Sequence, residues 1–226
     1  MWTGNDINSS VVLSGALPNM MHFNEEGVKV NYLLEEYSLS EDGKELTLTL
    51  KDGLEWHDGT PFTTEDIKFT GEYMLKHSLS FYAAMFEAVT DVEIVDDQTM
   101  IYSFEQTYKA FINQFGYWIS IMQNNIFENV DDPQTFAFAE EYVGYGPYKL
   151  SEFSVGEYYI FEKNEDWAID DWPYLDKIVY RIYPDTNSLV SALEAGEIDA
   201  TGSSIQKGQA DGLGDGLAAA ELQSLG

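Results

Sequence analysis

Alternation of apolar and polar side chains predicts several strands in this chain. Glu45–Leu50 (ELTLTL) alternates strictly, which is the pattern of a strand with one buried face. The dipeptide Asp42-Gly43 just before it is typical of a tight turn. The same period of two predicts strands at residues 157–162 and 177–183.

Turn residues between apolar runs predict how other strands are connected. The runs at residues 89–95 and Thr99–Phe104 flank two aspartates, which predicts a β-hairpin. Residues 54–61 (LEWHDGTP) predict a second short strand with a turn at Asp58-Gly59. The glycine-containing stretch 144–148 (GYGPY) predicts a turn that leads into a strand.

Helices are predicted where a capping residue precedes an apolar stripe. Thr63 is a candidate N-cap, and the acidic residues that follow it suit the first turn of a helix. Residues 188–195 predict a second helix that ends at Gly196. Residues 111–122 are strongly apolar, and residues 11–23 predict a short helix or a buried segment against a sheet. Helices and strands are therefore mixed without regular alternation, which predicts an α/β or mixed α+β chain in two lobes.

Composition narrows the class of protein. The chain is 44% hydrophobic, with 15 Tyr, 13 Phe and 5 Trp, which is enough for a sizeable core. Its formal net charge of −29 repels phosphate, so we expect no nucleic-acid partner. The charge is interpreted as a solvated acidic surface, with an acidic patch for a cationic substrate as the alternative. The sequence has no apolar run of about 18 residues and no targeting segment at Met1, so we expect any export signal or anchor to lie outside it.

Residues that could carry chemistry form no recognisable constellation. The absence of cysteine excludes thiolate catalysis and disulfides in this segment. His22, His57 and His77 do not have the spacing of a metal-binding pair, so we expect no metal. Serines lack a Gly-x-Ser-x-Gly context, and there is no P-loop or dinucleotide fingerprint. We therefore expect neither an enzyme nor a cofactor.

Four segments, in order, resemble the family-5 extracellular solute-binding proteins. Residues 40–50 follow an NYLLEEY element at 31–37, where the family has N-x-L-A-E-x-W. Residues 51–69 (KDGLEWHDGTPFTTEDIKF) are similar to the family signature across their length. Residues 144–150 (GYGPYKL) depart from it only at Tyr145, where the family usually has Thr. Residues 161–199 contain EKNEDW, YLDKIVYRIYPD and ALEAGEID in the family's order.

The resemblance implies a periplasmic-binding-protein type II-like clamshell. Residues 1–36 and 158–226 would form a partial, discontinuous domain I, and residues 37–157 would form domain II inserted in it. Family members have about twice this length, so the opposing lobe is expected to be missing from this chain. The sequence would then be an N-terminal fragment.

The resemblance also implies a function. The chain would belong to the substrate-binding component of an ABC importer, which captures short peptides and delivers them to a membrane permease. It would act as a monomer outside the cytoplasm, in the periplasm or as a cell-surface lipoprotein. Alternatives are a nickel-chelate or oligosaccharide binder of the same family, a receptor domain that reuses the fold, or a carboxylate-based hydrolase.

Six residues are candidate ligand contacts by the same resemblance. Ser10 and Leu13 match a segment that runs beside the bound peptide backbone in relatives. Phe81 and Tyr82 match an aromatic-bearing loop on the cleft wall. Tyr142 and Tyr145 flank the turn at residues 144–148, which borders the cleft in relatives.

Overall fold

Three antiparallel sheets organise the described part of the chain. A computed structural model describes residues 15–24, 26–79, 81–133, 136, 143–169 and 173–201, and the side chains of all these residues except 81 and 82. The sheets have the strand orders β1-β2, β3-β4-β6-β5 and β7-β8-β9. Their strands are Met21–Phe23 (β1), Lys29–Asn31 (β2), Leu34–Leu39 (β3), Glu45–Leu50 (β4), Val89–Ile94 (β5), Thr99–Phe104 (β6), Tyr148–Ser154 (β7), Tyr158–Lys163 (β8) and Lys177–Arg181 (β9).

The four-stranded sheet follows the predicted alternation. In β4, Leu46, Leu48 and Leu50 are at most 2% exposed, whereas the threonines between them are only partly buried. Gly43 has a φ of +70° in the turn before β4, which favours glycine. The strand at Glu45–Leu50 and the hairpin of β5 and β6 are therefore confirmed.

The three-stranded sheet carries a smaller core. Phe161 in β8 lies opposite Leu150 in β7 and Ile178 in β9. Phe161 and Tyr148 are buried together with Ala16, which comes from the N-terminal part of the chain. The strands predicted at residues 157–162 and 177–183 are confirmed, with bounds that differ by one or two residues.

Helices pack against the four-stranded sheet, and a further helix comes after the last strand of the three-stranded sheet. They are Thr64–His77 (α1), Phe111–Trp118 (α2), Asn124–Phe127 (α3) and Thr186–Glu194 (α4), with a 3₁₀ helix at Phe81–Ala88. Thr63 is the N-cap of α1, as predicted. In α4, the Asp185 carboxylate accepts a hydrogen bond from the Ser188 backbone N–H at 2.9 Å, so the helix begins two residues before the predicted start. Gly196 follows α4 with a φ of +69°.

One predicted element differs from the structure, and a second matches one of its two predicted alternatives. Residues 54–61 form a single bridge between Glu55 and Pro61 rather than a strand, around the predicted turn at Asp58-Gly59, where Gly59 has a φ of +82°. For residues 11–23, the buried segment is the alternative that is confirmed among the described residues: none of residues 15–20 is helical, Leu17 and Met20 are buried, and the chain then enters β1. Residues 11–14 lie outside the described residues.

The main core lies between the four-stranded sheet and its helices. Leu48 and Met100 from the sheet are fully buried with Ile67 from α1. Phe111 and Phe115 stack in α2 with ring centroids 5.7 Å apart, and both rings contact Tyr102 of β6. Within the part of the chain that the structure describes, no helix has the length and apolarity needed to cross a bilayer.

The division into two domains stays a prediction, but strand pairing limits where a boundary can lie. The predicted boundary at residues 157–158 falls between β7 and β8. These strands pair from Tyr148 opposite Lys163 to Ser154 opposite Tyr158. A boundary that keeps this sheet intact therefore lies before Tyr148 or after Arg181.

We predict that Leu48→Ala lowers the free energy of unfolding by about 2–5 kcal/mol, because it removes a side chain with no exposed surface from the main core. Thr47→Ala on the other face of the same strand is the control and should cost less than about 1 kcal/mol. Urea denaturation of both variants measures the difference. Equal losses would show that burial in β4 is not what stabilises the sheet.

Candidate functional site

The turn at residues 144–148, here called the glycine turn, holds residues 15–20, here called the N-terminal segment, in place. The backbone N–H groups of Tyr145 and Gly146 both donate to the carbonyl of Ala16, each at 3.0 Å. The Tyr148 N–H donates to the carbonyl of Gly15 at 3.2 Å. The segment that continues from the predicted contacts Ser10 and Leu13 is therefore fixed to the glycine turn by backbone hydrogen bonds.

Glycine is required at position 146 by close packing. A Cβ added there would overlap the Gly15 carbonyl oxygen and lie 2.8 Å from the carbonyl carbon of Ala16. The Gly146 carbonyl oxygen lies 2.9 Å from His57 Nε2 and accepts a hydrogen bond from Asn164 Nδ2 at 3.2 Å. The glycine turn thus joins the N-terminal segment, the tryptophan-containing turn around His57 and the loop after β8.

Tyr145 acts as a structural side chain. It is 1% exposed, and its ring contacts Trp56 and Phe62 with centroids 5.0 and 4.9 Å away. Its hydroxyl donates to the Pro18 carbonyl at 2.8 Å and accepts from the Ile121 N–H at 2.9 Å. Burial raises the pKa of this phenol. The side chain of Tyr145 is therefore not accessible for the ligand contact that the sequence predicted.

A buried carboxylate explains the spacing of the WHDGTPFTTED stretch. Asp66 is 6% exposed and accepts hydrogen bonds from Trp56 Nε1 at 3.1 Å, the Thr63 N–H at 3.0 Å and the Asn124 N–H at 2.9 Å. Burial raises the pKa of Asp66, and the three donors oppose that shift. The carboxylate therefore holds together the turn around Trp56 and His57, here called the tryptophan turn, the start of α1 and the start of α3.

The three histidines lie in different surroundings. His57 is directed at the Gly146 carbonyl, and burial lowers its pKa to about 4. The His22 ring lies edge-on to Tyr32 at 5.0 Å, and the His77 ring lies 4.3 Å from that of Tyr73. Among the described residues, no three His, Cys, Asp or Glu side chains are grouped so that they could hold a metal ion.

The structure places the other predicted contacts as follows. Ser10, Leu13 and Tyr142 lie outside the described residues. Phe81 and Tyr82 begin the 3₁₀ helix, which Ala83, Met85 and Phe86 anchor in the main core; the side chains of Phe81 and Tyr82 are not described. The structure therefore shows how the chain next to these residues is held in place. Contact between these residues and a ligand stays a prediction.

Sequence reasoning missed an exposed aromatic surface. Trp118 at the end of α2 is 61% exposed and Phe23 in β1 is 46% exposed. The Phe23 ring stacks on that of Tyr117, with centroids 4.7 Å apart and an interplanar angle of 13°. The Phe23–Tyr117 pair lies next to the N-terminal segment, because Asn19 Nδ2 donates to the Tyr117 carbonyl at 2.6 Å. No local pattern in residues 111–122 separates Trp118 from its buried neighbours.

The sequence profile of the bacterial extracellular solute-binding proteins, family 5 middle, matches residues 30–217, and the chain belongs to this family. The chain is 28% identical over 207 residues to the oligopeptide-binding protein AppA of Bacillus subtilis. That match covers 86% of this chain and 37% of AppA. The chain therefore spans a little over a third of the length of this curated relative.

Solved structures agree with this assignment. A putative peptide-binding protein AppA from Clostridium difficile superposes with a TM-score of 0.72 at 31% identity, covering 85% of this chain and 40% of that one. NikZ from Campylobacter jejuni, in complex with Ni(L-His), superposes with a TM-score of 0.74 at 26% identity, covering 83% of this chain and 38% of NikZ. The predicted mixed α/β fold of type II periplasmic-binding proteins is confirmed, and the described structure corresponds to part of it.

We predict that Gly146→Ala destabilises the chain by about 3 kcal/mol, because the added methyl group meets backbone that cannot move without breaking the hydrogen bonds of the glycine turn. Gly15→Ala is the matched control, since its Cβ would lie 3.4 Å from the Tyr148 ring, and it should cost less than about 1 kcal/mol. Thermal and urea unfolding measure both. A tolerated Gly146→Ala would mean that the glycine turn and the N-terminal segment are not packed as described.

We predict that His57 makes stability fall as the pH is lowered from about 6.5 to 4. The unfolded histidine has a pKa near 6.5, while burial lowers the folded pKa to about 4, so the unfolded state binds the proton first. The loss should be on the order of 3 kcal/mol across this window. His57→Gln keeps a donor for the Gly146 carbonyl and should remove that part of the pH dependence. His77→Gln controls for removal of an imidazole elsewhere, and an unchanged profile in His57→Gln would contradict the assignment.

Proposed function

We propose that this chain is part of the substrate-binding component of an ABC importer that captures short peptides outside the cytoplasm and delivers them to a membrane permease. The observation that carries the proposal is the match to the family of extracellular solute-binding proteins over residues 30–217. The similarity to an oligopeptide-binding protein and to a putative peptide-binding protein supports peptide as the cargo. We further propose a monomer in the periplasm or at the cell surface as a lipoprotein, with no nucleic-acid partner because of the net charge of −29.

The described structure fits the role of one wall of a binding cleft. Backbone hydrogen bonds fix the N-terminal segment to the glycine turn, so a contact made from that segment has a rigid support. In the proposed mechanism, two lobes close around the peptide by hinge motion. Main-chain hydrogen bonds hold the peptide as an added strand, and bridging waters accommodate different side chains. This mechanism transfers no group and breaks no bond in the cargo, so we propose a binding protein and not an enzyme.

The proposed contacts are Ser10, Leu13, Phe81, Tyr82 and Tyr142. Tyr145 is kept only for a contact through its backbone, because its side chain is buried and its hydroxyl has two backbone partners. Phe81 and Tyr82 stand at the start of a 3₁₀ helix whose other aromatic residue, Phe86, is anchored in the core. A ligand that contacts this helix would therefore meet a short segment that the core holds in place.

A metal chelate is the second candidate cargo. It is favoured by the similarity to NikZ, whose structure contains Ni(L-His). In that case the chelate would bring its own histidine, so the protein would need no cluster of metal-binding side chains. Oligosaccharide binding and carboxylate-based hydrolysis remain as further alternatives, the first within this family and the second from a different class of protein.

Calorimetry with one oligopeptide, compared between this chain and complete B. subtilis AppA, tests the proposal. We expect saturable binding to this chain at a dissociation constant in about the millimolar range. Loss of half the contacts from a ligand with about 8 kcal/mol of binding energy leaves roughly 4 kcal/mol. Tyr82→Ala should weaken binding further, while Tyr174→Ala, at a side chain that is 80% exposed in the loop before β9, should not.

Parallel titrations separate the alternatives. Ni(L-His) that binds more tightly than every peptide would favour the metal-chelate cargo. Peptides or glycosides that are cleaved reproducibly by repurified protein would contradict a pure binding function. Affinity for the peptide equal to that of AppA would show that residues 1–226 contain the whole site, against the proposed single wall.

A further inference from the structure

Basic side chains are too few to neutralise the acidic ones in this chain. The sequence has 40 acidic residues against 11 lysines and arginines, and its net charge is −29. Residues 34–133, which contain the four-stranded sheet and the helices that pack on it, hold 20 acidic residues and 5 lysines. Among the described residues, Asp66 is the acidic side chain that is buried, so the others lie at least partly in solvent. The excess negative charge is therefore carried by the surface.

The four-stranded sheet places several of these charges near one another. Its strands contain no lysine or arginine and five acidic residues, all exposed: Glu35, Glu36, Glu45, Asp91 and Glu93. Glu45 in β4 and Asp91 in β5 both lie opposite Ser103 in β6. Because neighbouring strands are about 4.8 Å apart, these two residues are about 10 Å apart on the face opposite the main core. Glu93 lies two residues from Asp91 and therefore on the same face.

The ion pairs that the structure describes lie outside this sheet. They are found in the three-stranded sheet and the loop after β8, and they join Lys149 to Asp166, Lys163 to Glu165 and Lys177 to Glu162. Within the described ranges, no three His, Cys, Asp or Glu side chains are grouped to hold a metal ion. On the described four-stranded sheet, therefore, neither ion pairs nor a metal centre neutralises the acidic side chains.

Folding brings the excess charges closer together. A chain of this length has a radius of gyration of about 17 Å when folded and about 50 Å when unfolded. The distance over which salt screens a charge is about 10 Å at 0.1 M and about 3 Å at 1 M. Repulsion across about 10 Å, as between Glu45 and Asp91, is therefore reduced roughly tenfold over this range of salt. Because the folded chain holds its charges closer together, salt stabilises it relative to the unfolded chain.

We propose that this chain is adapted to a medium of high salt concentration, in which dissolved monovalent cations neutralise the acidic surface in place of basic side chains. The folded state then needs an ionic strength in about the molar range for its full stability. The cations form a diffuse layer around the surface and occupy no defined site. This inference concerns the medium in which the protein folds, and it does not depend on which cargo the protein binds.

Thermal unfolding of the chain at pH 7.5, followed by circular dichroism in NaCl from about 0.05 to 2 M, tests the proposal. We expect the midpoint temperature to rise by at least about 10 °C over this range, which is several times the effect of one surface substitution. KCl should act equally, because screening depends on ionic strength. A smaller rise would overturn the proposal. A rise that is complete within a few millimolar salt would indicate a defined cation site and would overturn it too.

Charge reversal separates screening from the general effect of salt on apolar burial. The variant carries Glu35→Lys, Glu36→Lys, Glu45→Lys, Asp91→Lys and Glu93→Lys, which keeps the edge strands charged and takes the net charge from −29 to about −19. Because repulsion scales roughly with the square of the net charge, this variant should lose about half of the salt-dependent rise. A matched control exchanges Glu and Asp at the same five positions and should keep the full rise. Equal rises in the two variants would show that charge repulsion is not the cause.

Discussion

The backbone hydrogen bonds between the glycine turn and residues 15–16 are the constraint on which the rest of the described structure depends. They bring together parts of the chain about 130 residues apart; the Tyr145 hydroxyl alone bonds a carbonyl 127 residues away. Because Gly146 lacks a Cβ, the two backbones can approach closely. His57 and Asn164 both lie within hydrogen-bond distance of the Gly146 carbonyl. The three-stranded sheet, the tryptophan turn and the N-terminal segment are thus connected at one point.

Polar groups divide into a few buried ones that hold segments together and many at the surface. Asp66 is buried and accepts three hydrogen bonds from three segments of the chain. By contrast, the described ion pairs join Lys149, Lys163 and Lys177 to carboxylates in exposed positions, where each contributes little to stability. The excess of acidic residues therefore acts through its long-range electrostatic field and through its solvation. The buried polar contacts of Asp66 and of the glycine turn specify the fold.

The edge strands of the four-stranded sheet carry features that protect exposed backbone from pairing with other strands. The edge strands β3 and β5 of the four-stranded sheet carry exposed acidic side chains and a register shift each. Both features discourage pairing with a foreign strand.

Local signals determined much of this protein. The alternation in Glu45–Leu50, the Thr63 cap and the family motifs predicted the strands, the first helix and the class of fold, because each depends on contacts within a few residues. Strands β1 to β3 were not predicted, since β3 has exposed residues on both faces and therefore no alternation. Helical spacing places Trp118 on the buried side with Phe111 and Phe115, yet the helix ends there and leaves it exposed. Tyr145, a predicted ligand contact, is buried by partners far along the chain. The sequence by itself specified most of the elements and the family, whereas burial of Tyr145 and exposure of Trp118 were decided by packing between distant segments, which no local pattern records.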